Sequence, residues 1–85
     1  MANILLQPGK TAVSGNTGAL AADNIFFIAK GVVHLSTDGG TTKIPFYGPE
    51  FNAENRGEKV VFSSGLTVHY FNERNSDAEL RHMAM

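Results

Sequence analysis

Residues 58–71 read EKVVFSSGLTVHYF, and the pattern in this stretch decides the fold class. Val60 and Phe62 precede Ser63-Ser64-Gly65, and Leu66, Val68 and Tyr70 follow it, at every second position on each side. Alternation on both sides of a turn signal predicts a β-hairpin. A three-residue loop, Ser63-Ser64-Gly65, pairs Phe62 with Leu66, Val60 with Val68 and Glu58 with Tyr70, which gathers the large apolar side chains on one face. Such loops commonly end in a residue at positive φ, and Gly65 fills that position without steric cost. A two-residue loop would split the apolar set across both faces. The other face carries Lys59, Val61, Thr67, His69 and Phe71. Val61, His69 and Phe71 on that face are candidate partner-binding residues.

Working outward, residues 31–46 predict a second hairpin. A loop at Gly39-Gly40 pairs Leu35 with Ile44 and Val33 with Phe46. A loop at Asp38-Gly39 pairs Leu35 with Thr42 and Val33 with Ile44. Both keep the apolar set together, and the first matches large residues with large. Pro45 cannot donate to a ladder, which places its strand at an edge or at its end. Upstream, Ile25-Phe26-Phe27-Ile28 is apolar on both faces, the pattern of a central strand buried on two sides or of a core strand that meets a partner. Asn3-Ile4-Leu5-Leu6-Gln7 predicts a strand stopped by a Pro8-Gly9 turn. Thr11-Ala12-Val13 resumes it, and residues 14–18 form an exposed loop.

Residues 47–57, YGPEFNAENRG, make a long connection whose anchor is Phe51. Phe51 either caps the domain's own core or docks on a neighbouring subunit. Downstream, Ser76-Asp77-Ala78-Glu79 fits a helix capping box, with Leu80 and Met83 on one side of a short helix. A helix this short is unstable alone. The tail is therefore either frayed or an arm anchored on another subunit by Leu80, Met83 and Met85. The expected organisation is one β domain over residues 1–71, an antiparallel β-sandwich or barrel built from hairpins, followed by a helical or extended tail over residues 72–85. Deleting residues 76–85 is expected to weaken assembly and leave the β fold intact.

Composition narrows the function classes. The chain has 85 residues and a formal net charge of −1, with no cysteine and no tryptophan. Without thiols it can form no disulfide and offer no thiolate ligand or nucleophile. No basic run is present, which argues against a nucleic-acid partner. The longest apolar run is far too short to cross a bilayer, and no secretory signal pattern opens the chain, so a soluble protein made in the cytoplasm is expected. His34, His69 and His82 have no metal-ligand spacing. Ser63, Ser64 and His69 lie close in sequence without a nucleophile elbow, and hairpin-tip serines are ordinary turn residues. Gly9-Lys10-Thr11 has the end of a phosphate loop but not its beginning. Neither a catalytic centre nor a cofactor is expected.

The opening, Ile4-Leu5-Leu6-Gln7-Pro8-Gly9-Lys10-Thr11-Ala12, followed by a Ser/Gly/Asn turn and an apolar strand, resembles a group of short tailed-phage virion proteins. The resemblance covers residues 1–28. Those chains often end on a strand with a Gly-Pro-Gly turn, whereas here Gly48-Pro49 is internal and a polar segment follows. The resemblance implies a non-enzymatic structural subunit of the virion, present in many copies, with decoration or cement of the head as the commonest role. Its partners would be capsid or other virion proteins and further copies of itself. The alternative is a receptor- or glycan-binding β module of a fibre or tail, working through residues 14–18 and 38–40.

Overall fold

Short runs of β-branched and aromatic residues, punctuated by Gly, Pro, Asn and Asp, form strands throughout the computed structural model, which describes residues 2–6, 25–63 and 65–84. In chain order these are β1 (Ala2–Leu6), β2 (Ile25–Lys30), β3 (Val32–Ser36), β4 (Ile44–Tyr47), β5 (Val60–Val61), β6 (His69–Phe71) and β7 (Ala78–Met83). No helix occurs among the described residues. The strands form two antiparallel sheets, one ordered β1-β7-β2-β5 and the other β4-β3-β6. An all-β fold of antiparallel sheets is what the alternation predicted.

Between β2 and β3 the chain passes from one sheet to the other through a single residue, Gly31. Its φ is +75°, in the left-handed region that penalises any side chain. A Cβ there would lie 2.5 Å from the Asp77 carbonyl oxygen and 2.9 Å from the Ala78 Cα. Both backbone groups of this buried residue are satisfied from the 47–57 connection. Its N–H donates to the Glu50 carboxylate at 2.9 Å, and its carbonyl accepts from the Gly48 N–H at 2.7 Å. The long connection is thus tied down at both ends. The Tyr47 N–H donates to the Asn55 carbonyl, the Gly57 N–H to the Tyr47 carbonyl, and the Ile28 N–H in β2 to the Gly57 carbonyl.

The core lies between the sheets. The four-stranded sheet contributes Leu6, Phe26, Ile28, Ala78 and Leu80, and the other side contributes Val33, Leu35, Val68 and Tyr70. Phe62 closes over it with its ring edge-on to Phe26, centroids 5.4 Å apart. Val60, Phe62, Val68 and Tyr70 therefore face the core, as their parity predicted, while Leu66 is exposed.

The pairing within residues 58–71 differs from expectation. Val60 and Val61 pair with Phe26 and Ile25, whereas His69, Tyr70 and Phe71 pair with Ser36, Leu35 and His34. The two arms belong to different sheets, so the stretch arches over the core and forms no hairpin ladder. The turn itself is present, with Gly65 at φ +89° and the Leu66 N–H directed at the Ser63 carbonyl at 3.4 Å. Alternation reports which residues face inward. It does not report whether two inward-facing arms lie side by side or face each other across a core.

The second hairpin has the first of its two expected registers, Leu35 with Ile44 and Val33 with Phe46. Its loop is wider than two residues and is braced by side chains. The Ser36 hydroxyl donates to the Asp38 carboxylate at 2.6 Å and accepts from the Gly40 N–H at 2.9 Å, and the Thr42 N–H donates to the same carboxylate at 2.9 Å. These bonds, the Ser36 hydroxyl first, hold the Asp38 pKa down to about 2. Strand β4, which contains Pro45, is at the edge of its sheet, as its proline required.

The expected helix after Ser76 is β7, and the expected tail is the strand between β1 and β2 in the four-stranded sheet. Ala78, Leu80 and His82 are buried in turn, with Glu79, Arg81 and Met83 on the other side. Ala, Glu, Leu, Arg and Met all favour helices, but here the period-2 burial and a ladder on both edges override that preference. Asn72, fully buried, holds the approach to β7. Its side-chain amide donates to the carbonyls of Leu6 and Ser76, and its oxygen accepts from the Arg74 N–H. The expected Pro8-Gly9 turn, the strand at Thr11-Ala12-Val13, the 14–18 loop and Met85 lie outside the described residues.

Three consequences can be measured. Removing residues 76–85 is expected to abolish cooperative unfolding and dispersed amide resonances; a truncated chain that keeps both would contradict this topology. Leu80→Ala should destabilise by about 2–5 kcal/mol in urea titration. Gly31→Ala should cost at least ~1–2 kcal/mol, because the left-handed backbone is strained for alanine.

Candidate interaction surfaces

Each sheet has one face toward the core and one away from it, and the two outward faces differ. On the four-stranded sheet, Ile25 pairs directly with Val61 on one side and Met83 on the other, so the three form an apolar row across β7, β2 and β5. Val61 is 50% exposed and Met83 39%. The next row runs Phe27, Arg81 and Asn3 across β2, β7 and β1. Beyond it, past a bulge in β2, Lys30 pairs with Glu79, which in turn pairs with Leu5. Arg81 donates to both Glu79 and Asn3, which pins its guanidinium across the sheet. The outcome is an apolar row whose ends, Val61 and Met83, are exposed, with the Arg81–Glu79 ion pair in the rows beyond it.

On the three-stranded sheet the outward face is covered by the chain's own loops. His34 lies at its centre, with Pro45 and Phe71 as its cross-strand neighbours. Lys43 places its ammonium 4.3 Å from the centroid of the Phe71 ring and pairs with Glu73 at 2.9 Å. Hydrogen bonding from Lys43 keeps the Glu73 pKa low. The Arg74 guanidinium lies 5.9 Å from the Tyr47 ring centroid. The Nδ1 of His34 is buried with no hydrogen-bond partner among the described residues. Burial is the main influence holding its pKa below 6.5; Glu73 pulls it up, and Arg74 and Lys43 push it further down. A neutral imidazole thus fits this layer of rings and paired charges.

The expected partner-binding residues are distributed unevenly. Val61 and Met83 are exposed and share one surface, joined by Ile25. Phe51 is 37% exposed and stands edge-to-face on Tyr47, centroids 5.6 Å apart, on the side of the three-stranded sheet. His69 is half-buried. Phe71 is only 7% exposed because Lys43 and the loop at Gly40 close over it. Leu80 is in the core, not an anchor for a neighbour. The expected common back face of Val61, His69 and Phe71 does not exist, since their strands belong to different sheets. Ile25 and Arg81 were not singled out from sequence. The apolar alternation of Ile25 and Phe27 opposite Phe26 and Ile28 was the signal for that surface.

Two grooves are lined by the described residues. One of about 240 Å³ runs beside the braced loop, between Asp38 and Thr42 on one side and Ile44, Phe46 and Phe62 on the other. Another of about 320 Å³ lies between Leu5, Leu6 and the Asp77–Glu79 backbone, with Lys30 at its rim. Among the described residues no group of three or more His, Asp or Glu could hold a metal ion, and no helix is long and apolar enough to cross a membrane. No protein-family model, curated protein or solved structure matches the chain.

The state of His34 is open to titration. Its folded pKa lies below its unfolded value of 6.5, so the unfolded chain takes up a proton first as the pH falls. The stability associated with the neutral form is fully present above about 6.5 and is lost as the pH falls through the folded pKa. Urea midpoints measured between pH 8 and pH 5 should therefore fall toward acid, and His34→Gln should flatten that slope. Parallel slopes for the two proteins would exclude His34 as a contributor.

Proposed function

We propose that this chain is a non-enzymatic structural subunit of a phage virion, most specifically a decoration or cement protein that stabilises the head through contacts between subunits. The observation that carries the reading is the apolar row Met83-Ile25-Val61, with Met83 and Val61 exposed, on the outward face of a sheet whose other face already fills the core. A small domain gains stability by covering such a strip with a neighbour. The resemblance of residues 4–12 to tailed-phage virion proteins supplies the setting: virion proteins as partners, several copies of the chain, and a location on the particle. Enzyme activity, a cofactor, nucleic-acid binding and membrane binding form no part of this role.

A second reading, receptor or glycan binding by a fibre or tail module, draws on the groove beside Asp38. There hydroxyls and a carboxylate held by Ser36 and Thr42 border the rings of Phe46 and Phe62. A site at residues 14–18 belongs to this reading as well, outside the described residues.

Mass spectrometry of banded virions decides between them. The first reading expects the chain in intact particles at a copy number comparable to the capsid lattice, and lower particle stability to heat or chelation when it is deleted. Its absence from particles, or a copy number of a few per virion together with glycan binding lost in Asp38→Ala, would favour the second.

A further inference from the structure

Side chains cross the outward face of the three-stranded sheet twice, each time over its middle strand. β3 pairs with β4 on one edge and β6 on the other, and His34 is at its centre between Pro45 and Phe71. Lys43 enters from the β4 side and Glu73 from the β6 side. Their ion pair, at 2.9 Å, spans β3 with the ammonium over the Phe71 ring. Arg74, also from the β6 side, reaches the Tyr47 ring on β4. The Nδ1 of His34 is buried in this layer with no hydrogen-bond partner among the described residues. We propose that His34 is a proton-operated release for the Lys43 crossing: a proton on the imidazole draws Glu73 to it, and Lys43 lifts from Phe71 with the loop that precedes it. The device belongs to the sheet itself and is independent of the assembly role.

Competition for one carboxylate drives the release. A neutral ring nitrogen without a partner is tolerable, but a proton makes it a charged donor, and a buried charged donor is costly until it finds an acceptor. Glu73 is the carboxylate whose charge reaches the imidazole, and Lys43 and Arg74 are the cations that oppose the proton. The other groups packed around this face are committed or neutral to the exchange. Asp38 is held by the Ser36 hydroxyl and the Thr42 N–H, and Glu50 by the Gly31 N–H. His69, half-buried, lies on the same side of β6 as Phe71. Glu73 is therefore the acceptor that can be reassigned. Lys43 and Glu73 are both partly exposed, so water takes up the ammonium when the pair parts, and pairs this exposed contribute little. Glu73 stays ionised throughout, because hydrogen bonding from Lys43 keeps its pKa low. His34 titrates below 6.5, which sets the release on the weakly acidic side of neutrality. Lys43 is also what ties residues 37–43 to the β6 side. The Ser36 and Asp38 bonds of that loop stay within its own hairpin, and Gly40 only rests against the Phe71 ring.

The experiment follows the full chain by NMR from pH 8 to pH 5. At the alkaline end the Cε protons of Lys43 should be shifted upfield by the Phe71 ring current. As the pH falls they should return to the ordinary lysine position, with the same midpoint as the His34 imidazole, while the amides of β1, β2 and β7 stay dispersed. Three results would overturn the proposal: a Lys43 signal that stays put while His34 titrates, one that follows His69 instead, or one that moves only as the whole amide spectrum collapses. This wild-type titration decides even where a variant folds poorly. His34→Gln should keep the Lys43 signal upfield to the acid end. Glu73→Gln should free Lys43 already at pH 8 and lower the His34 pKa, because the carboxylate that favours the imidazolium is gone. A His34 pKa that is unchanged or raised in Glu73→Gln would also overturn the exchange.

Discussion

The structure depends on the passage through Gly31. Two strands that follow one another in sequence belong to opposite sheets, with one residue to make the change. That residue must adopt a left-handed backbone in a space that Asp77 and Ala78 leave too small for a methyl group. A buried backbone kink also exposes an N–H and a carbonyl that neither sheet can satisfy. The 47–57 connection supplies both partners, through the Glu50 carboxylate and the Gly48 amide. A loop of this length is otherwise hard to justify in so small a domain. Its first task is to complete the joint, and that task also fixes where Phe51 stands.

The arch over residues 58–71 makes the same passage at the far end of the core, by a different device. There the chain has several residues in which to turn, and the sheets are bridged by packing, with Phe62 laid against Phe26 and Val68 sealed beneath. The two crossings explain why the outward faces differ. The loops that serve the joint and the hairpin fold back over the three-stranded sheet, where Lys43 pairs with Glu73 and lies over the Phe71 ring, and Arg74 lies over the Tyr47 ring. The described loops leave Val61 and Met83 on the other sheet uncovered.

How much of this was legible in the sequence follows from what periodicity can encode. Inward-facing residues were mostly readable: Val60, Phe62, Val68 and Tyr70 from alternation, and Val33, Leu35 and Phe46 from the second hairpin, whose Leu35–Ile44 register was also right although Ile44, like Leu66, is exposed. Pairing partners outside a tight turn were not, because a side chain's facing is the same whether its strand continues a ladder or crosses to another sheet. β7 was misread for a related reason. Ala78, Leu80 and His82 satisfy a period of two, but Leu80 and Met83 also satisfy a helical spacing, and the residue types favour the helix. Only the vacancy between β1 and β2 resolves that ambiguity, and it is a property of the whole fold. The exposed strip was partly legible, since Ile25-Phe26-Phe27-Ile28 has apolar residues on both faces. Its companions Val61 and Met83 were picked out separately, with nothing local to show that they were neighbours.

The central place of β7 bears on how the chain folds as it is made. β1 and β2 leave the ribosome before β7, yet in the finished sheet they are separated by it; each pairs with residues 78–83. Until that segment has been synthesised, half of the core has no sheet to belong to, and the early strands keep open edges available to wrong partners. Sequence-distant closure of this kind slows folding. A chain interrupted before residue 78 lacks the strand with which both early strands pair, and with it the row that spans β7, β2 and β5.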